Sequence, residues 1–214
     1  MSKPSSVVFW LALALALPAA AAAQDISLNA AAIGTDHELL SGRLVGAAAR
    51  LRFPIHDGPV SIRLGVERLA GNFRRTGVPC AGLVEPGTCQ PEPTRDDARF
   101  AAGSAGVGVR VIEWRRVAID LTGDLSFANI DVDTRGLASG RMLSATKDLW
   151  EGDVGIEGAW SPWKRLPFAL QAGFAAGHLW PVVSDAAPDA YTPFERGFEL
   201  IRLRFGFAWR LPSQ

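Results

Sequence analysis

The sequence predicts an all-β chain, an eight-stranded antiparallel up-and-down transmembrane β-barrel, and three observations carry that expectation. A two-residue beat of apolar and polar side chains starts, stops and restarts after Ala23. The gaps between blocks alternate between short and long. The polar face carries arginines and acids among glycines, alanines and serines, whereas Lys is confined to Lys3, Lys147 and Lys164.

The first 23 residues stand apart from this rhythm. Lys3 supplies a short positive region, Val7 to Leu17 an apolar stretch too short to cross a bilayer as a helix, and Pro18 to Ala23 a small-residue cleavage region. Residues 1–23 therefore read as a cleaved signal peptide and 24–214 as one barrel domain. No Cys at the cleavage point suggests a lipid anchor, and no twin Arg precedes the apolar stretch.

The strands are read in order from alternation and turn chemistry. Strand one is expected over Asp25 to Thr35 and strand two over Glu38 to Phe53, where Val45, Ala47, Ala49 and Leu51 oppose Gly46, Ala48, Arg50 and Arg52. A tight turn from Pro54 to Gly58 follows, carrying Asp57-Gly58. Strand three, Pro59 to Phe73, has the clearest alternation: Val60, Ile62, Leu64 and Val66 against Ser61, Arg63, Gly65 and Glu67. A long gap over Arg74 to Asp97 then leads to strand four, Ala98 to Ile112, with Val107, Val109 and Val111 opposite Gly106, Gly108 and Arg110.

Glu113 to Arg116 is a short turn into strand five, Val117 to Val132, where Ile119, Leu121 and Leu125 face away from Asp120, Thr122 and Asp124. A polar loop is expected over Asp133 to Lys147. Strand six, Asp148 to Trp160, sets Trp150, Val154 and Ile156 against Glu151, Asp153 and Glu157. Ser161 to Leu166 is the third short turn. Strand seven, Pro167 to Trp180, and strand eight, Gly197 to Leu211, are separated by Pro181 to Arg196.

Alternating short and long connections are what a bacterial outer-membrane barrel has, with tight turns on the periplasmic side and longer loops outside. An even strand number also returns the chain to the side where it began. Period-two patterning alone does not distinguish a barrel that is apolar outside from a soluble calyx that is apolar inside. The polar face makes the choice. Arg50, Arg52, Arg63, Glu67, Arg110, Asp120, Asp124, Glu151, Asp153, Glu157, Arg202 and Arg204 are expected to form a luminal ion network, acids on strands five and six meeting arginines on two, three, four and eight. Two aromatic girdles are expected as well: Phe53, Trp114, Trp160, Trp163, Phe168 and Trp209 near the short turns, and Phe73, Phe100, Phe127, Trp150, Trp180 and Phe198 near the long loops.

On this pattern the mature chain resembles the small eight-stranded outer-membrane β-barrels of Gram-negative bacteria, such as the OmpA transmembrane domain and the OmpX- and OmpW-like families. The last strand, Leu203-Arg204-Phe205-Gly206-Phe207-Ala208-Trp209, looks like the alternating aromatic signal read by the barrel assembly machinery, although Leu211-Pro212-Ser213-Gln214 follow it. The resemblance implies residence in the cell outer membrane, with the lipid bilayer and lipopolysaccharide as partners and the barrel assembly machinery engaged during biogenesis.

Few residues point to chemistry. Cys80 and Cys89 are the only cysteines and sit nine positions apart in a Pro- and Gly-rich stretch, so an oxidising compartment favours a local disulfide. Such a small ring is worth about 2 to 3 kcal/mol at most in the chain-entropy model. His37, His56 and His178 are scattered, which gives no metal set. Some outer-membrane lipid A deacylases carry His-x-Ser near the rim; here His178-Leu179-Trp180 lacks the serine. Asp131 and Asp133 share a face and Asp96-Asp97 lies at another rim; both pairs read as solvated loop acids before they read as calcium ligands. With 22 basic and 22 acidic residues the net charge is zero, so nothing favours nucleic acid as a partner.

The sequence thus leads to a non-enzymatic outer-membrane barrel with surface loops for envelope integrity or interaction, with no cofactor. A narrow channel for small solutes is the alternative, followed by a lipid A-modifying enzyme and a soluble lipocalin-like binder. An eight-stranded interior is just wide enough to be filled by its own side chains, so large ionic residues are expected to plug it.

Overall fold

The computed structural model describes residues 25–37, 40–55, 58–78, 92–140, 142–163, 166–182 and 198–211. The expected signal peptide, Cys80, Cys89, His56 and most of the expected connection over Pro181 to Arg196 lie outside these residues. Eight strands follow one another: β1 (Asp25–His37), β2 (Leu40–Pro54), β3 (Val60–Val78), β4 (Glu92–Trp114), β5 (Val117–Gly136), β6 (Met142–Trp160), β7 (Phe168–Pro181) and β8 (Phe198–Arg210). Each pairs antiparallel with its sequence neighbours, and β8 closes on β1 with Asp25 opposite Arg210 and Gly34 opposite Ile201. Closure matters because a strand edge facing lipid would leave its N–H and C=O groups without partners.

Glycine at the seam permits that closure. A Cβ on Gly206 of β8 would stand 2.0 Å from the Leu28 carbonyl oxygen of β1, so only a residue without one allows the two backbones to meet.

The membrane-spanning half matches the predicted faces. Outward residues such as Leu28, Leu64, Val107, Leu125, Ile156 and Phe205 are exposed, while Arg50, Arg63, Asp124, Asp153 and Arg202 are buried. Trp150 and Trp160 mark the apolar band on β6. Ten residues at about 3.3 Å each, tilted by about 40°, put the two rings about 25 Å apart along the barrel axis, the height of a lipid-facing band.

Beyond that band the structure departs from the sequence reading. β3 continues from Phe73 to Val78, β4 begins at Glu92 rather than Ala98, β5 runs past Val132 to Gly136, and β6 begins at Met142 rather than Asp148. His37, expected in a loop, is the last residue of β1. The long loop expected over Asp133 to Lys147 is instead a short connection over 137–141, where Gly140 (φ 70°) donates its N–H to the Gly136 carbonyl at 3.1 Å. At 23 residues β4 is about twice the length needed to span a bilayer. A bulge between Arg110 and Ile112 also leaves Val111 and Ile112 both facing outward.

The alternation persists through these extensions but changes sense. On β3, Val66 faces out and Glu67 in, but one step further Arg68 faces out and Leu69 in. On β6, the pair Trp150 outside and Glu151 inside gives way to Asp148 outside and Leu149 inside. On β8, Ile201 outside and Arg202 inside give way to Glu199 and Leu200. Arg68, Ala101, Asn129 and Asp148 lie on one cross-strand row, so neighbouring strands switch at the same level. Above it the wall has the polarity of a soluble barrel, charged outside and apolar within. Arg- and Asp-rich segments that looked like loops are the water-facing half of long strands.

Three expected girdle residues accordingly sit inside: Phe73 and Phe100, each 2% exposed, lie in a luminal cluster with Ile33, Leu44, Leu69, Ile130, Leu149 and Leu179, and Phe198 is the third. Phe198 packs against the same cluster. Their parity matches Arg63 and Ser104 rather than Val66 and Val107, and parity fixes the face.

Replacing Gly206 with Ala is expected to destabilise the barrel by about 1 to 3 kcal/mol, since the seam backbones must separate. Gly103→Ala, whose Cβ would meet nothing within 4 Å, serves as the neutral comparison. Urea titration followed by heat-modifiable gel mobility measures both; equal midpoints would show that the seam tolerates a side chain.

Candidate functional site: the ionic lumen and the outer wall

All twelve residues of the expected luminal network point into the barrel and carry ion pairs. Arg202 is the hub. Its Nη1 lies 2.5 Å from Asp153 Oδ2, its Nη2 donates to Glu151 Oε2 at 2.8 Å and lies 3.2 Å from Glu67 Oε1, and Nη1 also meets Glu151 Oε1. Arg204, two residues along β8 and on the same face, reaches Glu67 at 3.7 Å, Asp153 at 3.7 Å and Asp124 at 3.9 Å.

A second group lies toward the short turns. Arg50 donates to Asp124 at 2.9 Å and approaches Glu157 at 3.4 Å, which Arg63 also binds at 2.7 Å. Arg52 lies 3.1 Å from Asp25 and 3.7 Å from Asp120, and Arg110 bonds Asp120 at 2.9 Å. Asp25 is a member that the sequence did not single out, because strand one was read without a face; its pairing with Arg52 follows from their register. Six luminal arginines thus face seven carboxylates, Asp25, Glu67, Asp120, Asp124, Glu151, Asp153 and Glu157, and the exposed Arg210 adds a contact to Asp25 at 3.7 Å. Near-neutrality is what burial in a low-dielectric interior requires.

The lumen is closed at this level. Between Ala48, Arg50, Glu67, Ser104, Ser126, Arg202 and Arg204 only about 10 Å³ remains, room for a single water. A recess of about 400 Å³, lined by the network members Arg52, Arg110 and Asp120 and by Gln171, opens at the short-turn mouth. Above it the apolar cluster fills the barrel, and beyond that Arg75 grips Asp96 in a fork, with one nitrogen 3.0 Å from Oδ1, while also donating to Thr134 at 3.1 Å.

Asp96 is therefore not a solvated rim acid. It is fully buried, whereas Asp97 faces out beside Arg95 at 3.5 Å; neighbours in a strand point to opposite faces and cannot share a cation. Asp131 and Asp133 do share the outer face, where each accepts a hydroxyl hydrogen bond at 2.6 Å, from Thr146 and Ser144 respectively. No group of three metal-ligating side chains occurs among the described residues.

His178 faces outward on β7, opposite Gly152 of β6 and Glu199 of β8, with its ring 4.9 Å from that of Trp180. It borders a shallow groove of about 1040 Å³ across the outer wall, beside Gly123, Val154 and Ala176. The register partner Glu199 was not foreseen, since cross-strand pairing is invisible before the sheet is assembled. A His–Glu pair can orient and accept a proton, and the one hydroxyl among the described residues lining that groove is Thr35 of β1.

Fold and site together define an eight-stranded barrel of the outer-membrane type, inverted in polarity within the bilayer and packed shut by its own ions. Among solved structures the chain is similar to Ail, the attachment invasion locus protein of Yersinia pestis, at 13% identity over 87% of this chain and 95% of that one, with a TM-score of 0.49. It is also similar to Neisserial surface protein A, at 13% identity over 87% and 96%, TM-score 0.49. A major outer membrane protein from Thermus thermophilus aligns at 11% identity over 87% and 99%, TM-score 0.45. Likeness this distant transfers no ligand and no activity. No protein-family model matches the chain, and no curated protein matches it.

Arg202→Ala is expected to cost about 3 to 5 kcal/mol, because it strands Glu67, Glu151 and Asp153 in the interior. The exposed pair Arg99–Asp133, at 3.7 Å, should cost less than about 1 kcal/mol when Arg99 is replaced by Ala. Urea midpoints of the two variants in the same detergent check the contrast.

Proposed function

We propose that this chain is a non-enzymatic outer-membrane barrel that is closed to solutes and supports envelope integrity through its external half. Export by a signal peptide over 1–23, insertion by the barrel assembly machinery through the β8 aromatic pattern, and a Cys80–Cys89 disulfide in the external connection belong to the same reading. Lipid bilayer and lipopolysaccharide are its partners, and no cofactor is needed.

The observation that carries this reading is the filled lumen. Three stacked layers, the Arg202 network, the Phe73/Phe100 cluster and the Arg75–Asp96 pair, leave no continuous path along the axis among the described residues. Hydrogen-bonded registers on both sides of β8 leave no lateral opening within the apolar band. Both features weigh against the narrow channel. Against the lipid-modifying enzyme stands the segment His178-Leu179-Trp180, which lacks the His-x-Ser spacing of the outer-membrane deacylases.

In planar bilayers the full chain should give no steady conductance above the bilayer baseline, and removing one layer by Phe73→Ala with Phe100→Ala should leave it closed at the Arg202 level. Stable single-channel steps from the native chain would overturn the closed reading. Lipid A from cells that express the chain should have the same mass profile with His178→Ala as without it; a profile that depends on His178 would restore the enzyme.

A further inference from the structure

The lumen changes its charge balance between the deep network and the short-turn mouth. In the deep network four arginines, Arg50, Arg63, Arg202 and Arg204, meet five carboxylates, Glu67, Asp124, Glu151, Asp153 and Glu157. The recess of about 400 Å³ at the mouth reverses that ratio. Arg52, Arg110, Arg115, Arg116 and Arg210 line it, against Asp25, Glu113 and Asp120.

The acids of the recess are already engaged. Asp25 meets Arg52 at 3.1 Å and Arg210 at 3.7 Å, and Asp120 meets Arg110 at 2.9 Å and Arg52 at 3.7 Å. Glu113 stands 3.4 Å from Arg110 with its side chain in solvent, where such a pair is weak. Arg116 donates to the Pro162 carbonyl at 2.7 Å, and the Arg115 guanidinium lies 5.1 Å from the Trp114 ring; neither contact supplies a negative charge. Nη2 of Arg110 has no partner among the described residues. Five arginines against three acids leave the recess cationic.

Alanine makes the space. Ala118, Ala159, Ala169 and Ala208, one on each of β5 to β8, line the recess and share the inward parity of Asp120, Glu157, Gln171 and Arg204 on the same strands. Ala118 is directly opposite Ala159, and Ala169 is directly opposite Ala208. An eight-stranded interior is filled by its own side chains only when they are large enough, and on this wall they are methyl groups. Arg52 on β2 and Arg110 on β4 stand across from it. Trp163 and Phe168, with ring centroids 5.0 Å apart, add aromatic surface to the apolar side.

We infer that this recess is a binding site for a small amphipathic carboxylate, with its carboxylate held by the mouth arginines and its aliphatic or single-ring body against the alanine wall. The planar fork of arginine matches a carboxylate with two parallel hydrogen bonds. The volume falls within the range of small-molecule sites, about 300 to 1,000 Å³. A bare inorganic anion would satisfy the arginines and leave the apolar wall uncovered. Only about 10 Å³ remains between Arg50, Arg202 and Arg204, so the recess holds its ligand and does not pass it along the axis. A free acid and the carboxyl end of a peptide share this chemistry, and the probes below separate them. Binding is independent of conductance; supply of the ligand from the periplasm rests on the membrane orientation given under the proposed function.

The test is isothermal titration of the full chain in phosphatidylcholine nanodiscs, with empty discs subtracted. Phenylacetate, phenylacetamide, acetate and N-acetyl-alanyl-phenylalanine are the probes. The native chain should bind phenylacetate at least about tenfold more tightly than phenylacetamide or acetate, because the amide loses the charge-assisted bonds and acetate loses the apolar body. Arg115→Gln/Arg116→Gln should weaken phenylacetate by about fivefold and leave phenylacetamide unchanged. Ala159→Leu fills the recess from β6 and should abolish binding while keeping heat-modifiable mobility; Ala118→Leu, from β5, gives the same readout if the first variant fails to fold. Arg99→Gln, on the outer face of β4 away from the recess, should bind like the native chain. Tighter binding of phenylacetate than of the dipeptide assigns a free acid, and the reverse order assigns a peptide end. Acid and amide binding alike, unchanged affinity in the arginine variant, or unchanged affinity in a folded alanine variant would each overturn the site.

Discussion

A guanidinium at the centre of an eight-stranded barrel cannot reach water, and the burial of Arg202 is the constraint on which the rest of this structure depends. It is 1% exposed and holds carboxylates from β3 and β6 at once. Such a charge is tolerable only if every strand delivers its partner at the right height. That condition fixes registers: Glu151 and Asp153 must be two apart on one strand, Arg202 and Arg204 two apart on another, and the barrel must close so that both faces of the cluster are covered. Slippage by one residue on any of these strands would turn ions toward lipid and leave Arg202 unpaired.

The solvent outside the wall explains why the chain changes polarity along its length. Within the bilayer the outer wall must be apolar and the interior takes the polar residues. Beyond the bilayer the outer wall meets water, and the interior becomes the place for Leu69, Phe73, Phe100, Ile130 and Leu149. The switch occurs at one cross-strand level, Arg68 to Asp148, because one plane separates the two solvents. A continuous barrel with two hydrophobic surfaces on opposite faces is the result. Its upper half has a conventional core; its lower half has lipid outside and ions within.

This division also sets what the molecule presents to its surroundings. The short-turn mouth is a polar recess, the middle is solid, and chemical variety is concentrated on the outer face of the extended strands. There the charges are solvated, with Asp97 of β4 directly opposite Asp133 of β5 and arginines on the same face two residues along each strand.

Much was legible from sequence alone. Period-two alternation with Val60 to Val66 set against Ser61 to Glu67 determined the strand faces, because side chains in a strand alternate by geometry without reference to neighbours. Eight blocks, three tight turns and the Arg, Asp and Glu content of one face determined the barrel and the members of its ion network. Tertiary structure decided what depended on the environment of each face. Arg95, Asp97, Asp133 and Arg135 read as loop residues while a single solvent was assumed outside, and only the assembled wall placed them on strands above the membrane. Parity alone could have turned Phe73 and Phe100 inward, yet their aromatic character suggested a girdle. Asp25 with Arg52 and His178 with Glu199 are pairings across strands. Local sequence does not encode them, because register is set by the whole closed sheet.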